Sequence, residues 1–229
     1  MLNLFDILGP VMVGPSSSHT AGAARIGLMA RTLLGGTPVK ARIQLHGSFA
    51  ETGAGHGTDR ALVGGLLGMA PDDLRIPDAF AQARAAGLTF SIAPVHLREA
   101  HPNTAVLHLE SAEGKTLDLQ AASLGGGRIL VNKLDGIDVS FSGMYSTLVV
   151  RNRDMRGVVA AVTNLLSQLR INVADMNVRR DKRGGDMLMV IEIDGHLTPG
   201  QVTFLSELPG VFSIAYYDKE DDHGTGFDA

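Results

Sequence analysis

Residues 146–152 read STLVVRN, and they are followed by GVVAAVTNLLSQLR (157–170), INVADMNVRRD (171–181), DMLMVIEID (186–194), TPGQVTFLSEL (198–208) and VFSIAYYD (211–218). The second and fifth of these stretches have the 3.6-residue periodicity of amphipathic helices, whereas the others have the composition of strands. Residues 181–185 predict a hairpin turn between the third and fourth stretches. The order β-α-β-β-α-β predicts a ferredoxin-like domain.

The first half of the chain has a different character, since it is rich in Gly, His and small residues. A Ser-rich turn before AGAARIGLMARTLL (21–34) predicts a capped helix that stops at Gly35. We predict strands at 39–47, 88–95, 104–111 and 115–124, and a helix at 78–87. The glycine-rich stretch 49–58 predicts a loop that leads into an apolar helix capped by Asp59. The fold class is therefore α+β, with predicted domains at 1–142 and 146–218 and a flexible acidic tail at 219–229.

The composition excludes several kinds of protein. The chain has 229 residues, a formal net charge of −4 and no Cys. Without Cys there is no disulfide framework, no thiolate zinc site and no iron–sulfur cluster of the chain's own. The charge gives no reason to expect nucleic acid or an anionic membrane as a partner. We interpret the apolar N-terminus as the start of the fold, expect no membrane span, and predict a cytoplasmic protein.

Three clusters in the first half carry potential chemistry. The first is Gly14–Thr20 (GPSSSHT) at a helix start, where hydroxyls and free N–H groups make an anion site and a histidine can move a proton. The second is the glycine-flanked run His46–Asp59. The third is HPNT (101–104), with SLGGG (123–127) later in the chain.

Each cluster also has a structural interpretation. Three serines before a helix usually form only a cap, single histidines are more often structural, and the triple glycine is more often a turn than a phosphate cradle. A metal site built from His19, His46 and His56 is possible, but nothing in their spacing requires it. A stand-alone Ser–His hydrolase lacks a GxSxG elbow.

Taken together, GPSSSHTAGAARIG, LHGSFAETGAGHGTD and HPNT resemble the β chain of bacterial iron–sulfur L-serine dehydratases over essentially the whole chain. The resemblance implies an N-terminal α/β domain of the allosteric-substrate-binding type. It also implies a partner α subunit whose cysteines hold a 4Fe–4S cluster, so that the metal ligands lie outside this chain. The family reaction converts L-serine to pyruvate and ammonia, with the cluster acting as Lewis acid on the β-hydroxyl.

The resemblance implies roles for particular residues. His19 and His56 are candidates for proton handling, and Asp59 for orienting a histidine. The substrate-binding candidates are Ser16, Ser17, Ser18, Thr20, Thr58, Asn103 and Thr104. The alternative is a purely regulatory subunit in which the same residues sense L-serine, so that L-serine is substrate, effector or both. The sequence leaves open which group is the base.

The second half resembles an ACT domain, a small-molecule sensor of amino-acid enzymes, in the segments 150–157 and 169–176. That likeness implies homodimeric contacts through this domain and a regulatory ligand site at Asn152, Asp154, Gly157, Asn172 and Val173. The helix N-terminus at Gly157 suits a carboxylate, although Arg156 replaces the usual Pro. The alternative is that Asn152, Asp154 and Gly157 merely form a turn and a cap.

Overall fold

A computed structural model describes residues 12–180 and 182–219 of the chain. By its internal contacts the chain divides into two compact units, residues 1–136 and 137–229. The sequence-predicted domain limits, which place the boundary at 142–146, remain a prediction. The expected structure of residues 1–11, of Asp181 in the predicted hairpin turn, and of the tail beyond 219 lies outside the described residues.

The first unit begins with a π-helical turn, Ser17–Ala21, that continues directly into the first α-helix. Its α-helices are α1 (Gly22–Leu34), α2 (Ser48–His56), α3 (Thr58–Leu66) and α4 (Ala79–Ala85), the last preceded by a 3-10 turn (Ile76–Asp78). Its strands are β1 (Lys40–His46), β2 (Thr89–Val95), β3 (Thr104–Glu110), β4 (Thr116–Gly125) and β5 (Arg128–Leu134).

The strands of the first unit lie side by side in the order β2-β1-β3-β4-β5. β1 is parallel to β2 and antiparallel to β3, and the pairs β3–β4 and β4–β5 are antiparallel. Inward-facing residues of β1 alternate with exposed ones, as period 2 requires. α1 lies against β4 and packs on α3, so the core forms between the helices and one face of the sheet.

The second unit has the predicted ferredoxin-like order. After β6 (Ile137–Phe141) come β7 (Ser146–Arg153), α5 (Val158–Gln168), β8 (Val173–Arg180), β9 (Asp186–Ile193), α6 (Pro199–Ser206) and β10 (Val211–Tyr217). The strands β7 to β10 form an antiparallel sheet in the order β10-β7-β9-β8. Its core is the apolar face of α5 against β7 and β9, with Val158, Val162, Leu166, Leu148 and Ile191 fully buried or nearly so.

Two expectations about the first unit are wrong. The glycine-rich stretch after β1 is the helix α2 and not a loop. Asp59 does not cap α3, because Gly57 is the N-cap residue and makes no side-chain cap bond. The Asp59 carboxylate accepts a hydrogen bond from Arg60 N instead. β5 and β6 were not predicted either. The Ser-rich cap is confirmed, since Ser16 Oγ accepts a hydrogen bond from His19 N at 3.2 Å.

Two glycines determine how closely the helices of the first unit approach. A Cβ atom on Gly65 of α3 would clash with Ala24 O of α1, and a Cβ atom on Gly27 of α1 would clash with Leu62 O of α3. The two helices therefore touch through their backbones. Such an approach is available only to glycine.

Among the described residues, no helix has the length and apolarity that crossing a membrane requires.

Gly65→Ala should lower the free energy of unfolding by about 3 kcal/mol or prevent folding, because overpacking costs about 1–3 kcal/mol and here the obstacle is backbone. The measurement is urea denaturation followed by far-UV circular dichroism. Gly55→Ala in α2 is the matched control, since a Cβ there meets nothing within 4 Å. It should stabilise the chain by about 0.5–1 kcal/mol. Equal midpoints for the two variants would contradict the close-approach model.

Candidate functional site

The three clusters singled out in the sequence meet at one edge of the first sheet. In the strand register His46 lies opposite Thr104, which in turn lies opposite Ala122. The ends of β1 and β4 and the start of β3 therefore share this edge. The loop before β3 is joined to its neighbours by backbone bonds from Phe49 N to Pro102 O and from Ser123 N to Asn103 O.

His19 lies at the centre of this edge, with hydroxyl groups on both sides of its ring. Its Nε2 is 3.1 Å from Ser48 Oγ and 3.0 Å from Thr52 Oγ1. Its Nδ1 is 3.2 Å from Ser18 Oγ and 3.4 Å from Ser16 Oγ. Among the described residues, the groups that hydrogen-bond to the ring are all neutral. Within that part of the chain, His19 has no acid partner of the kind that a Ser–His hydrolase needs.

The rings of Phe49 and His56 complete the surroundings of His19. The Phe49 ring meets the imidazole edge-on at 5.4 Å between centroids, and the His56 ring lies 5.2 Å away. Burial lowers the pKa of His19, the backbone of Ser48 acts in the opposite direction, and the charge of His56 lowers the pKa further. His19 is therefore held in its neutral form at pH 7.

His56, at the end of α2, is exposed and offers an imidazole to an incoming ligand. Its ring contacts the ring of His19, and its backbone carbonyl accepts the hydroxyl hydrogen of Thr20 at 3.1 Å. Thr20 is itself 2% exposed. The Thr20 hydroxyl therefore fastens α2 to the π-helical turn, and the substrate contact predicted for it stays a prediction.

Three further predicted site residues are placed apart from His19 and serve the local fold. Thr104 is buried and donates its hydroxyl hydrogen to His101 O. Asp59 bonds to Arg60 N and to neither histidine. Ser17 accepts a hydrogen bond from Gly126 N at 3.2 Å, which ties the glycine turn after β4 to the π-helical turn. The expectations that Asp59 orients a histidine and that Thr104 meets substrate are not supported by these contacts.

Two hydroxyl groups beside the site are fully buried and lack a hydrogen-bond partner. They are Thr58 Oγ1, at the first residue of α3, and Ser123 Oγ, in β4. Ser123 lies directly against the first residue of α1, where a Cβ on Gly22 would clash with it. Because an unpaired buried hydroxyl costs free energy, these two groups are unusual features. The substrate contact predicted for Thr58 from the sequence stays a prediction.

The site does not fit a metal ion or an iron–sulfur cluster. The chain has no Cys. Within the described residues, no group of three His, Asp or Glu side chains is placed to hold a metal ion. His46 makes its contacts with the segment after β2: its Nδ1 lies 3.2 Å from Leu97 N and 3.3 Å from Val95 O, and its ring meets the His96 ring edge-on.

The second unit contains a separate candidate site at the end of β7. Asn152 is fully buried, donates from Nδ2 to Arg153 O, and leaves its Oδ1 without a hydrogen-bond partner. Gly157, with φ of 95°, is the N-cap residue of α5. Asp154 contributes to the local fold, because its Oδ2 accepts hydrogen bonds from Gly184 N at 2.9 Å and from Arg180 at 3.3 Å.

The remaining predicted regulatory residues lie elsewhere on the same sheet. Val173 is paired with Ile193, which is paired with Ser146, six residues before Asn152. At about 3.3 Å per residue, this places Val173 about 20 Å from Asn152 along the sheet. Asn172 donates from Nδ2 to Asp194 Oδ2 at 2.7 Å. Within one chain, therefore, these two residues do not share a site with Asn152 and Gly157.

Sequence reasoning missed two residues that contact His19, namely Ser48 and Thr52. Thr52 lies in the glycine-rich stretch predicted as a loop, and Ser48 directly precedes that stretch. In the helix α2 that actually forms, they are four residues apart and so share one face. A helical interpretation of residues 48–56 would have placed both hydroxyls together beside the histidine.

The chain thus combines an α/β unit that carries a hydroxyl–imidazole site with a ferredoxin-like unit, a two-unit α+β protein. The family model for the serine dehydratase beta chain matches residues 2–92, and the model for the ACT domain matches residues 146–203. The chain belongs to the family of L-serine dehydratase beta chains.

Named relatives support this membership. The chain is 42% identical to the probable L-serine dehydratase beta chain of Bacillus subtilis, over 93% of this chain and 96% of that one. It is 40% identical to the L-serine dehydratase beta chain of Peptoniphilus asaccharolyticus, over 85% of this chain and 88% of that one. It is also 28% identical to D-3-phosphoglycerate dehydrogenase of Archaeoglobus fulgidus, over 86% of this chain but 37% of the relative.

His19 should titrate below 6.5, the usual value, because burial and His56 disfavour its charged form. A folded-state pKa below the unfolded one means that the unfolded chain binds the proton more readily. The contribution of neutral His19 to stability is thus present above about pH 6.5 and is lost as the pH falls. NMR titration of the His19 ring measures the pKa. His56→Gln should raise it, and an unchanged value in that variant would contradict the His19–His56 interaction.

Proposed function

We propose that the chain is the β subunit of a cytoplasmic L-serine dehydratase that converts L-serine to pyruvate and ammonia together with an α subunit. The observation that carries the proposal is the ring of hydroxyls around neutral His19, with His56 open to solvent beside it. Because this chain has no Cys, a 4Fe–4S cluster would have to be held by cysteines of the α subunit.

The groups of this chain suit an amino-acid substrate. The hydroxyls of Ser16 and Ser18 stand at the start of the helical segment, where free backbone N–H groups favour a carboxylate. His56 is the better candidate for accepting a proton, since both ring nitrogens of His19 are already engaged by hydroxyls. Loss of the α proton and of the β-hydroxyl gives water and an enamine, whose hydrolysis releases ammonia and pyruvate.

Co-expression with the Cys-bearing α subunit should give a complex that forms pyruvate from L-serine, whereas the purified chain alone should form none. His56→Ala in that complex should lower kcat by about a hundredfold, the usual contribution of a positioned acid or base. His196→Ala, in an exposed loop of the second unit, is the control and should leave kcat unchanged. Full turnover by His56→Ala would exclude His56 as the proton acceptor.

A second candidate function is the sensing of L-serine without participation in the chemistry. The likeness to a D-3-phosphoglycerate dehydrogenase favours sensing, because 199 residues of this chain align with an enzyme that is named for a different reaction. A region that two enzymes with different reactions have in common is better explained by a shared binding function than by a dehydration step. In the second unit, the unpartnered Asn152 Oδ1 and the start of α5 offer an acceptor and donors to a zwitterion.

The positions of the predicted regulatory residues support ligand binding by pairs of chains. Asn172 and Val173 lie at the opposite end of the sheet from Gly157. A site that used both ends would therefore need residues of two chains. This supports the proposal that ACT units of two copies associate.

Isothermal titration calorimetry of the chain with L-serine distinguishes the two candidate sites. If the first unit binds serine, Ser18→Ala should weaken binding about tenfold, the effect of one hydrogen bond to a charged group. If the second unit binds it, Asn152→Ala should do so and Ser18→Ala should not. In the α–β complex, a sensing role predicts that the effective variant changes activation by serine while turnover at saturation stays intact.

A further inference from the structure

Thr52 has a hydrogen-bond arrangement that fixes where the ring proton of His19 lies. Its Oγ1 is 2.9 Å from Ser48 O, the carbonyl one helical turn earlier, and only the hydroxyl can donate in that contact. The same Oγ1 is 3.0 Å from His19 Nε2. A threonine hydroxyl has a single hydrogen, and it is already used. The contact with the ring therefore requires Nε2 to carry the proton and to donate it.

The other ring nitrogen, Nδ1, then carries no proton and acts as a hydrogen-bond acceptor. In a neutral imidazole one nitrogen donates and the other accepts, so a proton on Nε2 leaves Nδ1 as the acceptor. Nδ1 faces Ser18 Oγ at 3.2 Å and Ser16 Oγ at 3.4 Å. Ser16 Oγ is 3.3 Å from Ser18 Oγ as well. Both serine hydroxyls can donate toward Nδ1. The hydrogen bonds then all run in one direction: from the serine hydroxyls to Nδ1, from Nε2 to Thr52, and from Thr52 to the carbonyl of Ser48.

Ser48 is the competing influence at Nε2. Its Oγ lies 3.1 Å from the same nitrogen and is free to donate to it. A proton donated by Ser48 would require the proton of His19 to move to Nδ1. Thr52 opposes this arrangement, because two acceptors would then face each other at 3.0 Å. The balance between Thr52 and Ser48 thus decides the tautomer.

Resting on the proposed function, we propose that Thr52 is a positioning residue that holds neutral His19 as the Nε2–H tautomer and presents the Nδ1 lone pair to the pocket. The consequence is a rule of specificity for that pocket. Nδ1 accepts from Ser16 or Ser18 until an ammonium or hydroxyl group of a hydroxy amino acid donates to it instead, whereas it repels a carboxylate oxygen. The serine hydroxyls released from Nδ1 in this way can then donate to the carboxylate at the helix start.

The test is the ¹⁵N chemical shift of each ring nitrogen of His19, measured on the full chain at a pH above the titration of the ring. Nδ1 should have a pyridine-type shift and Nε2 a pyrrole-type shift. Thr52→Val, which keeps the shape and removes the acceptor, should move the tautomer ratio toward Nδ1–H by about five- to tenfold, the effect of one hydrogen bond. Thr52→Ser should restore the wild-type shifts, and Ser48→Ala should leave the Nε2–H form dominant.

A wild-type chain with the proton on Nδ1 would overturn the inference, and so would unchanged shifts in Thr52→Val. Thr203→Val in α6 controls for loss of a helical threonine hydroxyl, because Thr203 makes the same bond to the carbonyl four residues earlier and belongs to the second unit. It should leave the His19 shifts unchanged.

Kinetics of the α–β complex separate this inference from the proposed function. Thr52→Val should lower kcat with a smaller effect on KM, and Thr52→Ser should restore it. If the wild-type complex forms no pyruvate, the proposed function fails, whereas the tautomer of His19 is still decided by the NMR experiment.

Discussion

The backbone contact between α1 and α3 at Gly27 and Gly65 is the constraint on which the rest of the first unit depends. Because no Cβ fits between these helices, they lie closer than side chains would permit. The same approach places the π-helical turn before α1 beside the junction of α2 and α3, where Thr20 donates to His56 O. The two histidines therefore meet as a consequence of helix packing. π-Helical turns often occur at functional sites, and here the turn places Ser16, Ser18 and His19 together.

The hydroxyl groups around His19 act as a connected network. Each hydroxyl donates once and accepts at its remaining lone pairs, so the orientation of one group restricts its neighbours. The orientation of Thr52 is set first, because its hydroxyl donates within α2 to the carbonyl of Ser48. The network also sets the electrostatics of the site. With only neutral partners and partial burial, His19 is kept uncharged, whereas an adjacent carboxylate would have stabilised its protonated form.

The sequence predicted the architecture better than the contacts of the site. The ferredoxin-like order of residues 146–218 was predicted correctly. Long helices and strands that bury one face have a periodic spacing of apolar residues, and this spacing is visible in the sequence. The glycine-rich stretch that begins at residue 49 was wrongly predicted as a loop, whereas it belongs to the helix Ser48–His56. Glycine has poor helix propensity, and tertiary packing overrode it. The motifs around His19 and His56 did meet in space. The roles of the individual residues could not be predicted from the sequence. The hydroxyl of Thr20, for example, donates to the carbonyl of a residue 36 positions away, and only the packing of the chain brings the two together.

The neutral character of the first site suits both catalysis and sensing. A pocket for zwitterionic serine needs donors for the carboxylate and an acceptor for the ammonium group, and the serine hydroxyls, helix N–H groups and His19 Nδ1 supply these whether or not a bond is broken. Chemistry requires one group more, an imidazole with a free nitrogen close to the substrate. His56 is exposed and adjoins His19, so it is the residue whose required property differs between catalysis and sensing. A purely sensing subunit would need His56 only as a neighbour of His19, whereas a catalytic one would need its proton affinity.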